Sequence, residues 1–219
     1  MNPEPVVEVL ARSATVSLTA TLIASRIGIS LGSALALAGL PGRRLLTAVV
    51  NTGMAVPTVV VGLLVALLLW RSGPLGDLGL IYTVRGMIIA QVAIATPLIT
   101  GITMAALQLL PPELPEQLRS LGANRLQLMV RLWIEARLPL LAAAMAGFGH
   151  AISEVGSATL VGGNIHGQTQ VMTTAIVENV SRGEFGTALV YGAILLVLAF
   201  VINSLLASIQ QRGAVWARN

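Results

Sequence analysis

The chain predicts an all-α membrane protein with five transmembrane helices, and three observations carry that fold class. Its 219 residues are 55% hydrophobic and only 10% charged, with mean hydropathy +0.85; soluble globular domains are much more charged than this. Apolar stretches of about 20 residues or more, the length that crosses a bilayer, recur at about 14–38, 47–70, 84–109, 138–161 and 187–209. Polar or turn-forming segments separate them, and one of these, 110–137, is long, charged and helix-prone. A single domain is expected over 1–219, with no internal repeat of the kind that marks many secondary transporters.

Span 1 carries Arg26 at its centre. At helical spacing Arg26 shares a stripe with Thr15, Thr19, Ser30 and Ser33, which predicts a face toward protein or a water-filled path. The turn Pro41-Gly42-Arg43-Arg44 leads to span 2, which holds Pro57, and the loop at about 71–79 follows it. Span 3 places Thr96, Thr100 and Thr103 on one face, with Gln91 about a turn earlier and Pro97 as an expected kink. These threonines suit either a polar path or interhelical packing with back-bonding to the helix's own carbonyls. Span 4 carries His150, Glu154 and Ser157 at i, i+4 and i+7. The Gly-, Asn- and Thr-rich stretch 162–186 precedes span 5 and also contains Val171, Met172, Ala175 and Ile176, which suggest a segment tucked back into a dimer mouth as a gate.

Arginine distribution sets the expected orientation. Arg43, Arg44, Arg119, Arg125, Arg131, Arg137, Arg212 and Arg218 fall on one side; Arg12, Arg71, Arg85 and Arg182 fall on the other, among Glu4, Glu8, Asp77, Glu178 and Glu184. The first side is therefore read as cytoplasmic, with the N-terminus outside, the C-terminus inside and 110–137 facing the cytoplasm. The acidic start MNPEPVVEVL lacks the basic region of a signal peptide.

Composition also excludes chemistry. All 13 basic residues are Arg, so the chain has no Gly-Lys-Ser/Thr phosphate loop. It has no cysteine, so a disulfide, a thiolate metal site and a cysteine nucleophile are ruled out. His150 and His166 stand apart in the expected topology, and no metal site is expected. The net charge of +4 comes from arginines at the membrane edges, not from a nucleic-acid-binding patch.

The polar segment resembles the EAA loop of ABC importer permeases. Glu116-Gln117-Leu118 stands for Glu-Ala-Ala, and Gly122 follows at the expected spacing. Ile134-Glu135 stands where Leu-Pro is usual, and Leu138-Pro139 comes four residues later. Met54-Ala55-Val56-Pro57-Thr58-Val59-Val60-Val61-Gly62 is similar to the Pro-x-x-Val-x-Gly region of oxyanion permeases. Ser153-Glu154-Val155-Gly156 followed by Gly162-Gly163-Asn164 is similar to the Gly-Glu-Phe-Gly…Gly-Asn signature of molybdate and sulfate permeases, with Ser153 and Val155 departing from it. Together with Val171-Met172-Thr173-Thr174-Ala175-Ile176, these stretches look most like the tungstate members of the group.

The resemblance implies an ABC type I importer permease fold and a transport subunit that is not itself an enzyme. It implies docking through Glu116, Leu118, Leu121, Gly122 and Ala123, with Leu118 and Leu121 on one helix face and Gly122 allowing a bend. It further implies a homodimer in the lipid of a prokaryotic inner membrane, two cytoplasmic ATPase subunits that bind ATP-Mg, an external oxyanion-binding protein, and no cofactor in this chain. Pathway and gate candidates are Arg26, Pro57, Thr96, Thr100, Thr103, Glu154, Gly156, Gly163, Asn164, Thr173 and Thr174. Glu154 has the wrong sign to hold an anion and is read as an anchor. Arg26 has the right sign to attract one and is read as its pairing partner, within one subunit or across the dimer. Molybdate or sulfate remain alternative substrates. An ion-coupled secondary transporter with a Glu154–His150 proton relay and a non-transporting assembly protein are the other classes.

Overall fold

The computed structural model describes residues 5–37 and 41–216, with side chains through Gln210. Ten α-helices account for most of the described residues: α1 (Val6–Leu37), α2 (Arg43–Ala55), α3 (Thr58–Leu69), α4 (Val84–Gln108), α5 (Glu113–Ser120), α6 (Arg125–Glu135), α7 (Arg137–Ile152), α8 (Gly156–Gly162), α9 (Met172–Ser181) and α10 (Phe185–Trp216). Among the described residues α1, α4 and α10 are each long and apolar enough to cross a membrane unbroken.

Spans 2 and 4 are not straight helices. Between α2 and α3 the axis turns by 103°, and between α7 and α8 by 61°, so the span count is three, or five if each bent pair is one span. Pro57 causes the first break. It has no N–H to bond back into the helix, and it drives Val56 out of helical conformation, to φ −65° and ψ 132°. The second break, at Ser153–Val155, separates His150 from Glu154 and Ser157, so the three do not form the expected stripe. By contrast, α4 runs unbroken through Pro97.

The core is built on a parallel pair. Going down α1, Val16, Ala24, Gly28 and Gly32 meet Met87, Ala95, Ile99 and Thr103 of α4 in the same order. A Cβ at Gly28 would lie 2.9 Å from the Ile99 side chain, and one at Gly32 would lie 2.6 Å from the Thr100 carbonyl oxygen and 2.8 Å from Thr103 Cβ. Ala20 and Ala24, both 0% exposed, extend the ridge of small residues at every fourth position. Small-xxx-small ridges of this kind let membrane helices approach to backbone contact. Helix α7 joins the pair at Gly147, where a Cβ would sit 2.6 Å from Ile99 Cδ1.

The stretch 162–186 is more ordered than a loop. Gly163, at φ 74°, ends α8, and α9 then tucks inward. Val171, Met172 and Ala175 are buried against Val9, Val16 and Tyr191, which lie on α1 and α10. The segment thus packs on the chain's own helices α1 and α10. In contrast, α10 leaves Leu189, Leu196 and Phe200 each more than 70% exposed, an apolar face suited to lipid or another subunit.

Replacing Gly32 by Leu should force α1 and α4 apart and cost about 1–3 kcal/mol, the usual price of overpacking. Tryptophan-fluorescence melting of the purified full chain checks this: a wild-type melting temperature would contradict the crossing.

Candidate functional site

Three regions hold the residues singled out from the sequence. The first is the polar segment. Helix α5 ends at Leu121, and Gly122, at φ +82°, reverses the chain; only glycine takes that conformation without strain. Asn124 then starts α6 with a capping box: its side chain accepts from Gln127 N at 2.9 Å, and the Gln127 side chain accepts from Asn124 N at 2.9 Å. Leu118 and Leu121 do not share a face as expected. Leu118 packs inward with Leu107, Leu132, Ala136 and Leu140, while Leu121, past the last helical turn, is 84% exposed. Glu116 and Gly122 are exposed, and Ala123 is half-buried. Trp133 Nε1 donates to Ser33 Oγ at 2.8 Å and so ties α6 to α1.

The second region is where the two broken helices meet. A Cβ on Gly62 would lie 2.6 Å from Ser157 Cα, and one on Gly156 would lie 2.5 Å from Val59 Cγ2. The Pro57–Gly62 and Ser153–Gly156 stretches, about a hundred residues apart, thus touch through their glycines. Glu154 is 7% exposed, and its Oε1 accepts from Ser157 N, at 2.8 Å, in the first turn of α8. Arg26 does not pair with it within the chain. The buried face of α1 runs through Ala20, Ala24 and Gly28, and Arg26, two positions from both Ala24 and Gly28, points the opposite way and is exposed. Ser33 also leaves the expected stripe: it is 0% exposed.

The threonines are held mostly by the fold itself. Thr96 donates to Val92 O and Thr100 to Thr96 O, both at 2.7 Å. Thr100 and Thr103 are buried at the α1–α4 crossing. Thr173 Oγ1 donates to Glu154 O at 2.8 Å, and the Thr174 hydroxyl accepts from Val171 N, at 3.1 Å, at the start of α9. Of the pathway candidates, Arg26, Pro57 and Gly163 are exposed, and Thr96, Gly156 and Asn164 are half-buried.

The third region is a knot around Glu178, which sequence reasoning passed over as one acid among several. Its Oε2 accepts from Asn164 Nδ2 at 2.8 Å and Gln170 Nε2 at 2.6 Å, and its Oε1 meets His166 Nε2 at 2.9 Å and the Arg182 guanidinium. Arg12 Nη1 donates to Gln170 O at 2.6 Å and so ties α1 into the same knot. The i,i+4 spacing of Glu178 and Arg182 was the one readable signal. Asn164 sits at φ 47° and Gly163 at φ 74°, two successive left-handed residues that turn the chain toward Glu178. Burial alone would raise the Glu178 carboxyl, but His166, Asn164 and Arg182 outweigh it and hold the carboxyl below its ordinary value of 4.5.

A family model for binding-protein-dependent transport system inner membrane components matches residues 27–214. The chain belongs to that family. It is an integral membrane ABC permease and a transport subunit. The tungstate uptake system permease protein TupB of Peptoclostridium acidaminophilum is 39% identical over 199 residues, covering 91% of this chain and 87% of that protein. A Haloferax volcanii protein named "Probable anion ABC transporter permease protein" is 36% identical, covering 97% and 94%. The sulfate permease CysT of Synechocystis is more distant, at 28% over 82% of this chain and 65% of its own length. Among solved structures, the inward-facing MetNI methionine ABC transporter shares the permease fold, with TM-score 0.74 and 22% identity over 94% of this chain and 95% of that one. The ABC permease thus carries the type I importer fold expected from its sequence, with three unbroken candidate spans and two bent helix pairs among the described residues.

The folded-state pKa of Glu178 is lowered, so its stabilisation is fully present above about pH 4.5 and is lost as pH falls through the folded value. The wild-type permease should therefore lose melting temperature more steeply below pH 4.5 than Glu178→Gln does. Parallel pH curves for the two proteins would count against the knot.

Proposed function

We propose that this permease forms the translocation path of an ATP-driven importer of a tetrahedral oxyanion, tungstate first. The observation that carries the reading is the exposed end of α5, with Glu116, Leu121 and Gly122 on a bent polar segment, in a chain of this family whose tungstate-permease relative is 39% identical. Two copies enclose the path, two ATPase subunits that bind ATP-Mg dock on Glu116–Ala123, and an external binding protein delivers the anion. The side carrying α5 and α6 faces the cytoplasm, following the arginine bias.

The energetics demand a motor. A dianion moving into a negative interior works against about 4.6 kcal/mol per 100 mV for its two charges. A passive pore would release it. Gly122, which only glycine fits without strain, sets the angle at which Leu121 is presented to the ATPase. Arg26, Pro57 and Gly163, exposed on this chain, are the candidates that face the path between two copies, with Thr96, Gly156 and Asn164 behind them. Thr100, Thr103, Glu154, Thr173 and Thr174 hold the path's walls in position, because all five are buried. Sulfate or molybdate is the second reading, favoured by the likeness to a sulfate permease.

The test is uptake by proteoliposomes that hold the permease with its ATPase and binding protein. Tungstate should accumulate only when ATP is hydrolysed, and more from a tungstate than from an equal molybdate or sulfate supply. Uptake without ATP would refute the reading, and stronger molybdate or sulfate uptake would move it to the second. Leu121→Asp should cut uptake and ATPase co-purification by about tenfold or more, as loss of a central interface anchor does. Its melting temperature should stay that of wild type, because Leu121 is 84% exposed.

A further inference from the structure

A small cavity of about 10 Å³ lies where four elements meet. Ser13 and Ser17 line it from α1, Gln91 from α4, Glu154 from the break between α7 and α8, and Thr173 from α9. Every one of these side chains is at most 7% exposed. The volume holds one water-sized guest.

Two of the hydroxyl protons around this space are already committed. Ser13 Oγ donates to Val9 O at 2.8 Å while accepting from Met172 N at 2.8 Å, and Thr173 Oγ1 donates to Glu154 O at 2.8 Å. Gln91 Oε1 is buried and has no donor. Glu154 is buried with no Arg or His paired to it among the described residues. Toward a guest the wall offers the Glu154 carboxylate, the unpartnered Gln91 Oε1 and the Ser17 hydroxyl oxygen, beside the Ser17 and Gln91 protons. A buried carboxylate left without a positive partner is strongly unfavourable. An orphan acceptor beside it compounds the cost.

We propose that this cavity binds one monovalent cation, with sodium as the ion, held by the Glu154 carboxylate, Gln91 Oε1 and the Ser17 hydroxyl. The choice follows from charge and hardness. Oxygen ligands select hard cations, and one carboxylate neutralises one unit of charge. No cluster of three or more His, Asp or Glu among the described residues would suit a divalent or transition metal. The same carboxylate repels an oxyanion, so the site lies apart from the substrate path. The ion would lock α1, α4 and the broken helix together. The inference does not depend on which anion is carried or on ATP coupling.

Thermal unfolding of the purified full chain in sodium chloride, against choline chloride at equal ionic strength, tests it. Sodium should raise the melting temperature saturably, by about 2–4 °C, as a ligand bound only by the folded state does. Gln91→Leu, and independently Ser17→Ala, should abolish the difference. Equal melting in the two salts, or a sodium effect that survives both substitutions, overturns the proposal. Should both variants fail to fold, a structure of the wild-type protein in thallium(I), an electron-dense monovalent surrogate, decides. Thallium density between Glu154 and Gln91 supports the site, and its absence overturns it.

Discussion

The close parallel crossing of α1 and α4 is the constraint on which the other parts rest. Without side chains at Gly28 and Gly32, the two backbones reach contact, and Ile99 is left at the centre of a three-helix junction that Gly147 of α7 completes. In a bilayer such an approach cannot rely on the hydrophobic effect, because lipid is as apolar as leucine; it relies on van der Waals contact and backbone proximity. Every other element is positioned against this pair. Helix α9 packs on the N-terminal part of α1, α8 reaches Met87 through Gly162, and α6 hangs on the far end of α1 through Trp133 and Ser33.

Two positions show how glycine is used beyond this pair. Gly62 and Gly156 let the two broken helices interlock, each facing a side chain or backbone of the other at a distance no Cβ would tolerate. The breaks themselves would otherwise expose helix ends in an apolar setting. Part of that cost is offset locally: Glu154 Oε1 satisfies Ser157 N at the start of α8, and Thr173 satisfies the Glu154 carbonyl. Broken spans are tolerated here because the free backbone groups meet polar side chains from the same chain.

The apolar runs, the polar segment and its bend at Gly122 were legible in the sequence, because hydropathy, charge and a glycine's spacing are local signals. The break at Pro57 was half-legible: proline disfavours helix at the residue before it, but Pro97 lies inside an unbroken α4, so a proline alone does not say which span breaks. The ridge Ala20-Ala24-Gly28-Gly32 was readable as a small-residue pattern and went unread in favour of the Arg26 stripe. The reason that stripe failed is angular. Arg26 and the packed face of α1 lie nearly opposite, and no sequence rule says which face a helix will bury when both carry small or polar groups. The Glu178 knot was least legible, since Asn164, His166 and Gln170 reach it only after two consecutive left-handed residues have turned the chain.

Ala136 is at once the last cap of α6 and the first cap of α7, and it is 1% exposed. A joint of one residue, sealed in by Leu107, Leu132 and Leu140, has no slack. A longer linker could absorb a displacement by flexing; this one works as a crankpin. Any tilt imposed on α6 must reappear in α7, and through Gly147 against Ile99 it arrives at the packed helices without passing through a flexible intermediate. The polar segment and the helix core therefore move as one piece, with no clutch between them.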